Sequence, residues 1–184
     1  MFIIKHNYFL YIENINDLDV DSLKENKKIN IILRNAKNNK ISEIKKYQRK
    51  CKIKKFKLYI ANNIKVAKAC NADGLYISAF NKKIYHNFIY KIGSAHNFKE
   101  INEKTTQQCK IIIISPLFKT NYPNKKSFLG ITKFNLLKKN INLNFCPLGG
   151  IKYSNLIKLK LVNCKSIALL SEIKKKPTIA SRLF

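Results

Sequence analysis

Two adjacent glycines leave an apolar run at Pro147-Leu148-Gly149-Gly150-Ile151. With no Cβ in the way, the N–H groups of such a pair can turn toward an anion, so the segment reads either as a phosphate cradle or as an ordinary turn after a strand. Leu170-Ser171 closes another apolar run, and in a barrel the turns after the last two strands often share one phosphate. Asp73 precedes the run Gly74-Leu75-Tyr76-Ile77, which suits a structural carboxylate. His96, alone after Gly93-Ser94-Ala95, reads as a structural hydrogen-bonder or a proton carrier. The three histidines (His6, His86, His96) show no metal-binding spacing, and a structural zinc site is not expected. Cys51, Cys70, Cys109, Cys146 and Cys164 include no C-x-x-C pair. That pattern, with no secretion signal, points to buried thiols in a reducing cytoplasm.

Charge is the loudest feature of the 184 residues, at a formal +27. Alone it suggests a polyanion partner. Only three of the 37 basic residues are Arg, however (Arg34, Arg49, Arg182), and geometric recognition of nucleic acid leans on the planar guanidinium. Lys, Ile and Asn, all with A/T-rich codons, make up nearly half the chain, so a drift in base composition explains the bias without any such partner. The excess charge still concentrates anions near a cleft and favours a phosphorylated ligand. No apolar run approaches the roughly 20 residues that cross a bilayer, and Met1 to Leu10 does not read as a signal peptide.

These residues need a frame, and strand-like and helix-like segments alternate along the whole chain. Strands are expected at Tyr8–Ile12, Ile29–Leu33, Lys57–Ala61, Gly74–Ser78, Ile89–Ala95, Ile111–Ile114, Phe145–Leu148 and Ser166–Leu170. Four consecutive isoleucines in the sixth suit a strand buried on both faces. Helices are expected over Asp17–Lys28, around Ile41, Ile44, Tyr47 and Cys51, over Ile64–Cys70 and Phe98–Gln108, around Ile131, Phe134 and Leu137, and over Asn155–Val162. Asn81–Phe88 reads as loop or a stub of helix. Eight strands separated by helices predict a single α/β domain over 1–184, a compact (β/α)8 TIM barrel, with an open doubly wound sheet as the alternative.

Five segments occur in register: Ala72-Asp73-Gly74-Leu75-Tyr76-Ile77, Ile92-Gly93-Ser94-Ala95-His96-Asn97, Ser115-Pro116-Leu117-Phe118-Lys119-Thr120, Leu148-Gly149-Gly150-Ile151 and Ala168-Leu169-Leu170-Ser171. Together they resemble the thiamine-phosphate synthase / thiazole tautomerase superfamily of (β/α)8 barrels, over roughly Lys57 to Glu172. The resemblance implies a synthase that joins hydroxymethylpyrimidine diphosphate to a thiazole phosphate and releases pyrophosphate. Such chemistry calls for charge neutralisation and positioning rather than a strong nucleophile.

Carried over by position, the resemblance implies that Arg34 holds the diphosphate, with Ile32 and Ala36 at the family's Gln and Lys positions and Lys37 one residue on. Ser94 would lie near the pyrimidine and diphosphate, and Thr120 would bind the thiazole partner. Tyr122-Pro123 stands where many members have Thr-Lys, leaving Lys125 or Lys126 to supply the cation. Gly149, Gly150 and Ser171 would hold the thiazole phosphate. The family's two Mg2+-binding aspartates fall at Asn62 and Asn81, both neutral, so Mg2+ would depend more on the diphosphate's own oxygens. The tautomerase branch expects a histidine where Pro116 stands.

Three readings follow. The first is a divergent synthase acting on small phosphorylated substrates in the cytoplasm, off the membrane. The second is a non-catalytic relative that binds a thiazole or thiamine phosphate. The third, least favoured, is a basic nucleic-acid binder. Homo-oligomerisation is left open.

Overall fold

In the computed structural model, residues 7–24, 28–86, 90–120 and 127–169 are described. Eight parallel strands form the sheet: β1 (Asn7–Ile12), β2 (Ile29–Leu33), β3 (Lys57–Ala61), β4 (Gly74–Ile77), β5 (Lys91–Ala95), β6 (Ile111–Ile114), β7 (Phe145–Pro147) and β8 (Ser166–Leu169). Their order, β7-β6-β5-β4-β3-β2-β1-β8, brings β7 back beside β8 in a (β/α)8 barrel. Among the described residues four α-helices lie outside it: α1 (Ile41–Ile53), α2 (Ile64–Ala69), α3 (Phe98–Thr106) and α4 (Gly130–Asn140). Among the described residues no helix is long and apolar enough to cross a membrane.

Strand parity splits the core in two. Leu10, Ile12, Ile31, Leu33, Leu58, Ile60, Leu75 and Ile77 face outward under the helices. Phe9, Tyr11, Ile32, Tyr59, Tyr76, Ile92, Ile113, Cys146 and Ala168 fill the barrel interior. Burial on both faces explains the continuous apolar runs of these strands. On α1, Ile44, Tyr47 and Cys51 form the buried stripe while Ile41 remains about half exposed at the helix start.

Closure is uneven, for a reason visible in the chain. The Leu148 N–H donates to the Ile114 carbonyl and the Ile112 N–H to the Asn144 carbonyl. Because successive residues of a strand point their backbone groups to opposite sides, Phe145 and Pro147 face β8. Pro147 has no N–H to donate. Among the described residues β7 and β8 adjoin without a hydrogen-bonded ladder.

Two expected helices are absent as such. Between β1 and β2, in place of a helix over Asp17–Lys28, a short 3-10 turn (Ile15–Asp17) precedes irregular chain to Lys24. Asp17 Oδ2 accepts from the Glu13 and Asn14 N–H groups, and Asp19 Oδ1 accepts from the Asp21 N–H, so short polar side chains capture the backbone locally. Leu18, Val20 and Leu23 plug the barrel exterior from this irregular path. The segment expected as a helix over Asn155–Val162 winds as 3-10 over Tyr153–Leu161.

Candidate functional site

Parallel strands place all their C-terminal ends on one rim, and Arg34, Asn62, Asn81, Ser94, Thr120, Gly149 and Gly150 stand at or beyond those ends. Arg34 follows β2 and donates to Glu13 Oε1, beyond β1, at 2.8 Å. Both side chains are partly exposed, so the pair is worth ~0.2–1 kcal/mol. The exposed guanidinium is therefore held only weakly and can exchange Glu13 for another anion. Ile32 is buried in the barrel interior, Ala36 is buried on the outside, and Lys37 is exposed in the 3-10 turn Ala36–Asn38.

Ser94 lies inside the mouth, where its Oγ accepts from the Tyr76 hydroxyl at 2.8 Å. Tyr11 packs edge-on against Tyr76 with ring centroids 5.5 Å apart. The Tyr11 hydroxyl is buried and makes no hydrogen bond of ordinary geometry among the described residues, although the Tyr76 hydroxyl acts on it electrostatically. Burial holds its pKa well above the ordinary phenol value, so it is a neutral donor at any physiological pH. Tyr11 lies in no motif, and Tyr76 lies in one of the five segments but the resemblance gives it no role. Their inward parity on β1 and β4 was the available signal.

At the other side of the rim, Gly149 and Gly150 have φ of +93° and +68°, a path that disfavours side chains. A Cβ on Gly150 would collide with the Phe118 and Lys119 carbonyl oxygens. Phe118 N–H donates to the Gly149 carbonyl at 3.0 Å and Leu117 N–H to the Leu148 carbonyl at 2.8 Å, fastening the turn after β7 to the loop after β6. The Gly149 and Gly150 N–H groups donate to no described acceptor. Thr120 lies alongside, its methyl 3.7 Å from where a Gly149 Cβ would be, and its buried hydroxyl also has no described partner. Two unpaired amides and an orphaned hydroxyl thus stand close together in these two loops, donors of the kind an oxyanion can use. Lys125, Lys126 and Ser171 lie outside the described residues.

Asn62, after β3, and Asn81, beyond β4, are brought into direct contact. Asn62 Oδ1 accepts from Asn81 Nδ2 at 2.8 Å and from the Ser78 N–H at 3.0 Å, with Ser78 Oγ at 3.2 Å. Asn81 Oδ1 accepts from the Lys83 N–H. Two N–H donors fill the lone pairs of Asn62 Oδ1, and neither side chain carries charge, so this pair does not fit a resident Mg2+. Among the described residues no group of three His, Cys, Asp or Glu side chains could hold a metal ion.

The remaining candidates are accounted for by the scaffold. Asp73 Oδ2 accepts from the Leu58 N–H and from Gln48 Nε2, both at 2.9 Å, at the barrel's opposite end. His96 Nδ1 donates to the Ser115 carbonyl at 2.9 Å, and the Glu100 carboxylate takes the His96 N–H.

A family model described as thiamine monophosphate synthase matches residues 20–173. A thiamine-phosphate synthase of Prochlorococcus marinus is 32% identical over 143 residues, which take in 74% of this chain and 41% of that protein. One from another strain is 35% identical over 123 residues, 63% of this chain and 35% of that protein. The chain thus spans about two fifths of the length of these curated relatives. Thiamine phosphate pyrophosphorylase from Pyrococcus furiosus superposes with a TM-score of 0.72 at 14% identity, covering 99% of this chain and 98% of that one, a likeness of fold.

Proposed function

The chain belongs to the thiamine monophosphate synthase family, and on that footing we propose that it is a thiamine-phosphate synthase. It would join hydroxymethylpyrimidine diphosphate to a thiazole phosphate, releasing pyrophosphate and forming thiamine monophosphate. The observation that carries the reading is the pair of unpaired amides of Gly149 and Gly150 beside the buried Thr120 hydroxyl, on the same rim as Arg34 and Ser94.

In this reading Arg34 leaves Glu13 to hold the diphosphate, with Lys37 close by in sequence. Ser94, Tyr76 and Tyr11 form the floor of the mouth, where the buried Tyr11 hydroxyl offers a hydrogen bond to the pyrimidine. Thr120 and the glycine amides hold the thiazole phosphate, a role that the family resemblance extends to Lys125 and Ser171. Departure of pyrophosphate leaves a pyrimidine carbocation, which the thiazole nitrogen captures. The protein's part is to neutralise the leaving group, exclude water and align the two rings. Mg2+ would enter as the counter-ion of the diphosphate.

Purified protein supplied with both precursors and Mg2+ should yield thiamine phosphate. Absence of product across a range of metals and pH would overturn the reading. The Asn62–Asn81 pair favours one other reading, a relative that binds the phosphorylated thiazole without turnover. It predicts thermal stabilisation by that ligand together with no product.

A further inference from the structure

The loop beyond β4 is held from beneath by an arrangement that the synthase reading does not use. Its alternate carbonyls, those of Asn81, Lys83 and Tyr85, are all taken by side chains. Lys104 Nζ and Gln107 Nε2 each donate to the Asn81 carbonyl at 2.8 Å. Gln107 Nε2 also donates to the Lys83 carbonyl at 2.9 Å, and Lys91 Nζ to that of Tyr85 at 3.0 Å. Lys104 is wholly inaccessible to solvent, and its ammonium is met by neutral oxygens alone, the second being Gln107 Oε1 at 2.9 Å. Burial lowers the Lys104 pKa, and Glu103 and Glu100 oppose that shift through space without a hydrogen bond to the ammonium, so holding the charge here is costly. The room for it is built in. A Cβ on Gly93 would stand 2.8 Å from Lys104 Cδ and 2.9 Å from Cys109 Sγ, so the glycine of the Gly93-Ser94-Ala95-His96 segment opens the channel through which the Lys104 stem passes.

Above this base the loops after β3 and β4 are joined directly. Asn62 and Asn81 share a 2.8 Å hydrogen bond, Asn62 Nδ2 donates to Ser78 Oγ at 2.9 Å, and the Tyr85 hydroxyl reaches the Asn62 carbonyl. Two carboxylates at these positions would repel each other and need a divalent cation between them, whereas two amides bind each other unaided. We propose that the Asn62–Asn81 amide pair, seated on the buried Lys104 ammonium, takes the place of a carboxylate-held divalent cation, so that hydrogen bonds and a built-in monovalent charge join these two rim loops. The protein then takes up no divalent cation by itself. This rests on the family reading for what stands at the two positions, but its melting and amide-exchange tests need no substrate, so its failure and that of the synthase assignment are separately visible.

The measurement is thermal unfolding of the whole chain in EDTA and in MgCl2, without precursors. The wild type should melt at the same temperature in both. Asn62→Asp/Asn81→Asp should melt lower in EDTA and gain about 5–10 °C from Mg2+ at ~100 times its Kd. Should the double variant not fold, Asn81→Asp alone is nearly isosteric and should show a smaller gain of the same sign. A rise of the wild-type melting temperature in MgCl2 that Asn81→Ala abolishes would overturn the proposal. Lys104→Met tests the base as a positioning element. It should speed amide exchange in residues 78–85 and raise KM for the diphosphate substrate several-fold while leaving KM for the thiazole phosphate unchanged. Equal effects on both KM values would make Lys104 a packing residue and overturn its part.

Discussion

At the scale of single residues, the glycine pair and Arg34 make opposite kinds of demand. Gly150 is required by backbone path and by the Phe118 and Lys119 carbonyls pressed against it. Gly150→Ala should therefore cost about 1–3 kcal/mol, read from the denaturant midpoint, and should weaken the phosphorylated thiazole more than the diphosphate. Arg34 is required only by its charge and fork. Arg34→Ala should leave the midpoint nearly unchanged, because its pair with Glu13 is partly exposed, yet reduce diphosphate affinity about tenfold or more in a titration. The glycine pair was visible by type, and Arg34 was picked out through the family resemblance. Tyr11 and Lys104 were picked out by neither, and Tyr76 stood in a matched segment with no role given to it. A tyrosine in an apolar strand looks the same whether its hydroxyl is spent or orphaned, and one lysine among 34 gives no sign of being buried.

At the scale of elements, periodicity served wherever packing alone decides the outcome. Three of the four isoleucines of β6 (Ile112, Ile113 and Ile114) and the Ile44–Tyr47–Cys51 stripe of α1 bury as their spacing requires. Phe134 on α4 is wholly buried, and Phe134→Ala should cost about 3–5 kcal/mol in the same denaturation measurement. Periodicity misled where side chains compete with the backbone. Asn14, Asp17 and Asp19 turn the chain after β1 into caps and turns, although its composition reads as a polar helix. The loop from Asn81 was indeterminate because its order comes from Lys91, Lys104 and Gln107, which lie elsewhere in the chain. No local pattern records a partnership of that kind.

For the whole molecule, eight strand segments in order were enough to indicate the barrel, and the structure bears this out from Asn7 to Leu169. The thiols report on how dry its packing is. Burial raises Cys109 and Cys164 to about 11 and Cys51 to about 12. They are protonated at neutral pH, so iodoacetamide should label the native protein far more slowly than the unfolded chain, as mass spectrometry would show. The same shifts fix a pH dependence. Unfolded thiols ionise near 8.5 while the folded ones hold their protons, so the stabilisation is complete below that pH and is lost as pH climbs toward 11–12. Its slope is ~1.4 kcal/mol per pH unit per group, measurable by denaturation at each pH. The seam at Pro147 has a consequence of its own. A hoop laced at every join but one gives way at the unlaced join first, so deuterium should reach Phe145, Ser166 and Ala168, whose backbones look across that gap, before the other strand amides. The Gly149–Gly150 turn hangs directly beside the opening, which makes the phosphate end of the site the part that breathes.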